Sequence, residues 1–309
     1  RSTLDRSSAA SDVYKRQLAG MYQPDLKTIE DLAAQGYNLI PIYREVQADL
    51  ETPVSAFLKI ARGPYSFLLE SVEGGERQAR YTFMGTEPYR ILRTGPGTDE
   101  GEIDPLTRIE SELGSYAVGS LPGLPRFTGG AIGYLAYECA RYSEPRIPAP
   151  ELDPLGVPES ILMFTDTVLV FDHVKHVIMV VSHVHVSRDL PQEYSAAIER
   201  IERLVSRLSE PLKVTPKPMI TSKNQSGPVS NMTQNEYEEI VKQVKAYIVA
   251  GDVIQVVPSH RLSQPTSADP FDVYRALRAL NPSPYMFFLA LDEFHIIGAS
   301  PETLVRVEN

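Results

Sequence analysis

The 309-residue chain carries 40 acidic against 30 basic residues, and its formal net charge of −10 disfavours a general nucleic-acid or anionic-membrane binder. Hydrophobic residues at 42% and charged residues at 23% are ordinary for a globular protein, and a chain of this length can bury roughly 75% of its unfolded surface. The single cysteine, Cys139, rules out an internal disulfide and fits a reducing cytoplasm; no CxxC or HExxH spacing points to zinc, and no apolar run reaches the length of a membrane span.

Residues 1–20 are rich in Ser and Arg and lack periodicity, so they read as a disordered tail or a cloning remnant ahead of a natural start near Met21. Thr28 and Asp31 have the capping-box spacing and predict a short helix that stops at Gly36. The stretch "NLIPIYREV" reads as a strand. Thr52 followed by Pro53 predicts a second helix, closed by Gly63. "YSFLLESV" and "RQARYTFMG" read as strands of a hairpin turning at Gly74-Gly75, "PYRILRT" as an extension of the same sheet, and 105–113 as a helix. The glycines inside the strand-like "GGAIGYLAYE" mark close backbone approach or a bulge. Their spacing is not that of a phosphate-binding loop.

The run "ILMFTDTVLVFDHVKHVIMVVSHVHV" predicts one hairpin of two β-branched strands around 172–175. His173, His176, His183 and His185 cluster there and read as solvated hairpin residues, although His183 and His185 share a face that could take an adventitious metal. Tyr194, Ala197, Ile198, Ile201, Leu204, Val205 and Leu208 recur at helical spacing. Residues 210–230, rich in Pro, Ser and Lys, form the expected linker between a domain at 21–209 and the start of another at 231–309.

Beyond the linker, Thr233 and Glu236 form a capping box for a helix with a stripe of Ile240, Val241, Val244, Tyr247 and Ile248, ended by Gly251. "VIQVVPSHRL" alternates as a strand, with Gln255 on one face. Asp269-Pro270 opens a helix to Leu280, the turn "NPSP" follows, and "YMFFLAL" and "FHIIGAS" read as strands. "LVRVEN" closes the chain as an apolar alternation without a partner, which predicts a protein cut short. Helices mixed with antiparallel hairpins indicate an α+β fold.

The stretches "TQNEYEEIVKQVKAYIVAGDVIQVVPSHR", "NPSPYMFF" and "GASPETLVRVEN", preceded by "LLES", "RYTFMG" and "GGAIGYLAYE" in that order, resemble anthranilate synthase component I, the large chorismate-utilising subunit. The resemblance covers 21–309. It implies a large mixed or antiparallel β-sandwich with outer helices, and formation of anthranilate and pyruvate from chorismate in the first step of tryptophan biosynthesis. It also implies Mg2+ and ammonia from a glutamine amidotransferase partner, component II. The family's catalytic and metal-binding motifs lie beyond Asn309, so the resemblance assigns no catalytic residue and no metal ligand within this chain. Related isochorismate-forming enzymes have lysine at the position of Gln255, a neutral amide that cannot act as a base near pH 7; ammonia as nucleophile agrees with this.

What the resemblance does carry over is an L-tryptophan feedback site at Glu70 and Ser71, and at Asn281, Pro284, Tyr285 and Met286. In this expectation Glu70 pairs with the ligand ammonium, Ser71 hydrogen-bonds a polar group, and Pro284, Tyr285 and Met286 supply an apolar floor for the indole. Without the resemblance, "YMFFLAL" reads as a buried core strand, and Glu70 and Ser71 as the solvent face and end of a hairpin strand. The alternative readings are aminodeoxychorismate synthase component I, or a non-catalytic amino-acid-binding module. The chain as it stands is expected to form no anthranilate from chorismate, Mg2+ and ammonia. Turnover detected by anthranilate fluorescence would place catalytic residues inside it.

Overall fold

The computed structural model describes residues 21–71, 80–149, 153–213 and 227–307. The expected tail, the turn at Gly74-Gly75 and most of the expected linker lie outside them. The chain divides into two compact units, Arg1–Lys213 with Pro270–Asn309, and Val214–Asp269. The expected second domain at 231–309 is therefore split. Its last forty residues belong with the N-terminal portion because two of its strands complete that portion's sheet.

In the first unit, helix α1 (Leu26–Ala34) is capped by Asp25, not by Thr28. The Asp25 carboxylate accepts from the Thr28 N–H at 2.9 Å and from its hydroxyl at 2.6 Å, so Thr28 sits inside the first turn. Strand β1 (Leu39–Gln47) follows, then α2 (Pro53–Ile60), where Thr52 and Ser55 make the capping box reciprocally. The chain continues through β2 (Tyr65–Glu70), β3 (Tyr81–Thr86), β4 (Arg90–Thr94), α3 (Pro105–Leu113), β5 (Gly130–Leu135) and the short α4 (Ala140–Ser143). It goes on through β6 (Ser160–Thr165), β7 (Thr167–Asp172), β8 (Val177–His185) and α5 (Leu190–Leu208).

The second unit contributes β9 (Val229–Ser230), α6 (Gln234–Ala250) and β10 (Leu262–Ser263). Thr233 and Glu236 form the predicted capping box of α6, and Gly251 ends it at φ +84°, a left-handed value that costs glycine little. Its apolar stripe buries no residue. The predicted strand over 253–262 does not form: only Leu262 and Ser263 pair, with Ser230 and Val229. Alternation gives a strand two faces, but the strand also needs a partner for its backbone groups. Gln255 is accordingly exposed and not on an inner strand face.

The chain returns to the first unit with α7 (Pro270–Leu280), β11 (Tyr285–Leu291) and β12 (Phe294–Ser300). The terminal alternation "LVRVEN" forms no strand over its described residues 304–307. Seven strands make one sheet in the order β1-β8-β7-β3-β2-β11-β12, and β4-β6-β5 make a second; all these pairs are antiparallel. Helices α1, α2, α5 and α7 cover one face of the large sheet through Ile29, Phe57, Ile201 and Tyr274. On the opposite face lie Ile132, Ile161 and Met163 of the small sheet. This is the expected α+β sandwich with outer helices.

Two strand assignments change. Arg90–Thr94 belongs to the small sheet, and the predicted hairpin over 161–186 is three strands. At Asp166 the chain turns a corner from β6 in the small sheet to β7 in the large one, with the Thr165 hydroxyl bonded to the Thr167 carbonyl at 2.8 Å. In the β5–β6 ladder Gly133 lies so close to β6 that a Cβ there would stand 1.8 Å from the Ile161 carbonyl oxygen. Gly133→Ala is expected to destabilise the fold by about 1–3 kcal/mol, because the β6 backbone cannot yield without losing ladder bonds. Gly227→Ala, with open space around it, serves as the control in thermal unfolding.

Candidate functional site

Strand alternation and the sandwich together create the site. β2 pairs with β11 so that Glu70 lies opposite Met286 and Leu69 opposite Phe287. Leu69, Phe83, Phe287 and Leu289 turn away from the helices, towards Ile132 and Tyr134 of the small sheet. Between the two sheets is a cavity of about 850 Å³, in the usual range of roughly 300–1,000 Å³ for small-molecule sites. Its walls include the aromatic rings of Phe83, Phe127, Tyr134 and Phe287. Phe127 stands edge-on to Phe83, ring centroids 5.4 Å apart, and Tyr134 is anchored by a hydrogen bond from its hydroxyl to the Pro158 carbonyl.

The expected ligand residues separate into three groups. Ser71, Pro284 and Tyr285 border the cavity, with Tyr285 at 38% exposure on the same strand face as Phe287. Glu70 and Met286 border it as well, but their side chains belong to the helix-covered face. Met286, 1% exposed, is part of the core beneath the helices, so its sulfur is not the expected floor. Asn281 is exposed at the end of α7, its N–H bonded to the Leu277 carbonyl, and does not line the cavity.

Glu70 corrects the expected ammonium contact. Only 5% exposed, its carboxylate accepts from Arg278 Nε at 2.9 Å and Nη2 at 3.0 Å, and from the Tyr274 hydroxyl. The bidentate fork neutralises Glu70 inside the protein. Burial pushes the Tyr274 phenol up, and the Glu70 charge adds to this; the hydrogen bond to Glu70 raises the Arg278 guanidinium above its ordinary range. The reason is the strand period of two: with Leu69 facing the cavity, Glu70 must face α7.

The residues that sequence reasoning missed are Phe83, Phe127, Tyr134 and Arg306 on the cavity, and Tyr274 and Arg278 behind it. Tyr274 and Arg278 stand one helical turn apart, a spacing that signals a shared helix face. The hairpin histidines also differ from expectation. His183 is 2% exposed, with Nδ1 at 3.1 Å from the Asp166 carbonyl and Nε2 at 3.2 Å from the Thr128 hydroxyl, and burial holds its imidazole below the usual range. Among the described residues no group of three or more His, Cys, Asp and Glu could hold a metal ion, and no helix is long and apolar enough to cross a membrane.

Arg278→Ala is expected to destabilise the first unit by about 3 kcal/mol in denaturant unfolding, since it leaves the Glu70 charge buried without its partner. The value lies at the low end of the range for buried pairs because the guanidinium is 36% exposed. Glu70→Gln in the Arg278→Ala background is expected to recover part of the loss. No recovery would mean that packing, not charge, sets the effect.

Comparisons with known proteins bear on the same strands. The sequence profile of the family described as "chorismate binding enzyme" matches residues 65–309. The chain is 42% identical over 290 residues to "Probable anthranilate synthase component 1" of Schizosaccharomyces pombe, covering 93% of this chain and 58% of that protein. It is 43% identical over 296 residues to "Anthranilate synthase component 1" of Pseudomonas aeruginosa, covering 90% and 59%. The crystal structure of anthranilate synthase component I from Streptococcus pneumoniae TIGR4 matches with a TM-score of 0.56 at 26% identity, covering 85% of this chain and 59% of that one. The chain thus spans less than two thirds of the length of these relatives.

Proposed function

This chain belongs to the chorismate-binding enzymes, and from that premise we propose that it serves an anthranilate synthase component I. The reaction is chorismate plus ammonia to anthranilate, pyruvate and water, with ammonia supplied by a glutamine amidotransferase partner. The relatives named anthranilate synthase component 1, at about 40% identity over nine tenths of the chain, support this reading. The Mg2+ that the family implies finds no fitting set of ligands among the described residues. A cytoplasmic setting accords with the lone cysteine.

The part of the function proposed for these residues is regulatory: the cavity between the sheets takes L-tryptophan as feedback effector. One observation carries this, the β2–β11 ladder that sets the end of "LLES" beside the start of "PYMFF" on the rim of an aromatic-walled cavity. Leu69, Phe83 and Phe287 offer faces and edges to an indole, while Ser71 stands where the ligand's polar end meets solvent. Glu70 has a different role from the one its motif implied. Its bond to Arg278 ties the rim of the cavity to α7, so a ligand that shifts the end of β2 also loads that helix. A shared element of this kind is what linkage between two sites requires.

The chain contains no tryptophan, so bound L-tryptophan can be excited selectively. Fluorescence anisotropy of the ligand is expected to rise saturably with protein. Ser71→Leu and Tyr285→Ala are each expected to weaken binding about tenfold or more, the first by filling the rim and the second by removing its aromatic surface. Unchanged affinity in both variants would remove the rim from the site. A folded parent that leaves the anisotropy flat would overturn the effector reading.

A further inference from the structure

The register of the small sheet sets three residues abreast. Ile161 of β6 pairs with Arg93 of β4 on one side and with Tyr134 of β5 on the other. Residues directly opposite in antiparallel strands point to one face, so all three look towards the large sheet. There Arg93 and Tyr134 meet the turn between β11 and β12. Tyr134 stands edge-on to Phe294, ring centroids 6.0 Å apart, and Arg93 Nη2 donates to the Asp292 carboxylate at 3.2 Å. Arg93 also donates to the Tyr65 hydroxyl, which donates in turn to Asp292 Oδ2 at 3.5 Å. The guanidinium carbon lies 5.8 Å from the Tyr65 ring centroid, within reach of a cation–π contact. One cluster thus joins β4 of the small sheet to β2 and the β11–β12 turn of the large one.

Asp292 holds φ +67°, a left-handed value where glycine costs least. Its N–H donates to the Pro64 carbonyl at 3.0 Å, a bond that glycine would make equally well. What glycine could not supply is the carboxylate that meets Arg93. Tyr65 pairs with Leu291 at this end of the β2–β11 ladder, whereas Glu70 pairs with Met286 at the rim. The cluster therefore closes the end of the ladder remote from the rim, and its neighbour Tyr134 is a wall of the cavity.

We propose that Arg93, Tyr65 and Asp292 form a latch between the two sheets, which limits how far they part and how open the apolar space between them is to solutes. The strained backbone of Asp292 is kept because the latch needs its carboxylate. Arg93 and Asp292 are both partly exposed, so solvent and salt weaken the pair and the latch releases without unfolding the chain.

The test uses the 309-residue chain without effector, as the parent, Arg93→Gln, Asp292→Asn, Asp292→Gly and the double variant Arg93→Gln with Asp292→Asn. Circular dichroism confirms the fold of each. Amide exchange along 90–94 and 130–135, and the binding of the apolar dye 8-anilinonaphthalene-1-sulfonate, report the opening. Each single variant is expected to exchange about two- to fivefold faster there and to bind the dye more tightly by a similar factor. The double variant should do no more than Arg93→Gln alone, because both changes break one contact. Added salt should speed exchange in the parent towards the rate of the variants and leave the variants unchanged. Asp292→Gly should match Asp292→Asn in exchange while melting no lower, since glycine accepts the turn without strain. Exchange and dye binding that stay at the parent's level in both Arg93→Gln and Asp292→Asn, or effects that add in the double variant, would overturn the latch. None of these readings involves tryptophan, so the effector reading stands or falls separately.

Discussion

The period of two along β2 and β11 is the constraint on which the structure depends. The large sheet is covered on both faces, by helices on one and by the small sheet on the other, so each residue of these strands has one destination. Leu69 and Phe287 go to the cavity, and their neighbours Glu70 and Met286 go to the helices. A slip of one residue would exchange the two sets. It would put the Glu70 charge into an aromatic cavity and Phe287 under α7. The bidentate Glu70–Arg278 pair, 208 residues apart in sequence, makes that exchange more costly still, since either charge alone in the interior is strongly unfavourable.

The same pairing explains how a long excursion is tolerated. After α5 the chain leaves the first unit, builds Val214–Asp269 as a compact unit of its own, and re-enters with α7. Lengthening such a connection adds only slowly to the entropy of closing it, whereas β11 and β12 add two full strands to the sheet. Phe271, Tyr274 and Phe288 then close an aromatic cluster with Phe57 of α2, ring centroids 4.9–5.9 Å apart. The cavity is thus built from parts far apart in sequence, and its rim is joined through Glu70 to the helix by which the chain returns.

Local features were legible in the sequence. Thr52 with Pro53 marks a real helix start, Thr233 with Glu236 a real capping box, and the stripe from Tyr194 to Leu208 is a real helix face. What was not legible depends on partners. "VIQVVPSHRL" has a strand's alternation but no neighbouring strand for most of its length. The run through Asp166 reads as one strand because nothing in its composition shows that the chain changes sheets there. Glu70, Ser71, Pro284, Tyr285 and Met286 do meet at one cavity, yet the motif could not tell which side chains point into it. That orientation is set by the ladder with β11 and by α7. Arg306 gave no signal, because its place follows from the turn after β12 rather than from a pattern.

Hydrogen exchange followed by mass spectrometry, with and without L-tryptophan, tests the central claim that the β2–β11 junction is a ligand site coupled to α7. Added protection at 67–71 and 284–289, at the cavity walls 81–83 and 131–134, and in the 270–280 helix is the predicted result. Protection that appears elsewhere, such as along 161–185, or that is absent at ligand concentrations that saturate binding, would contradict it.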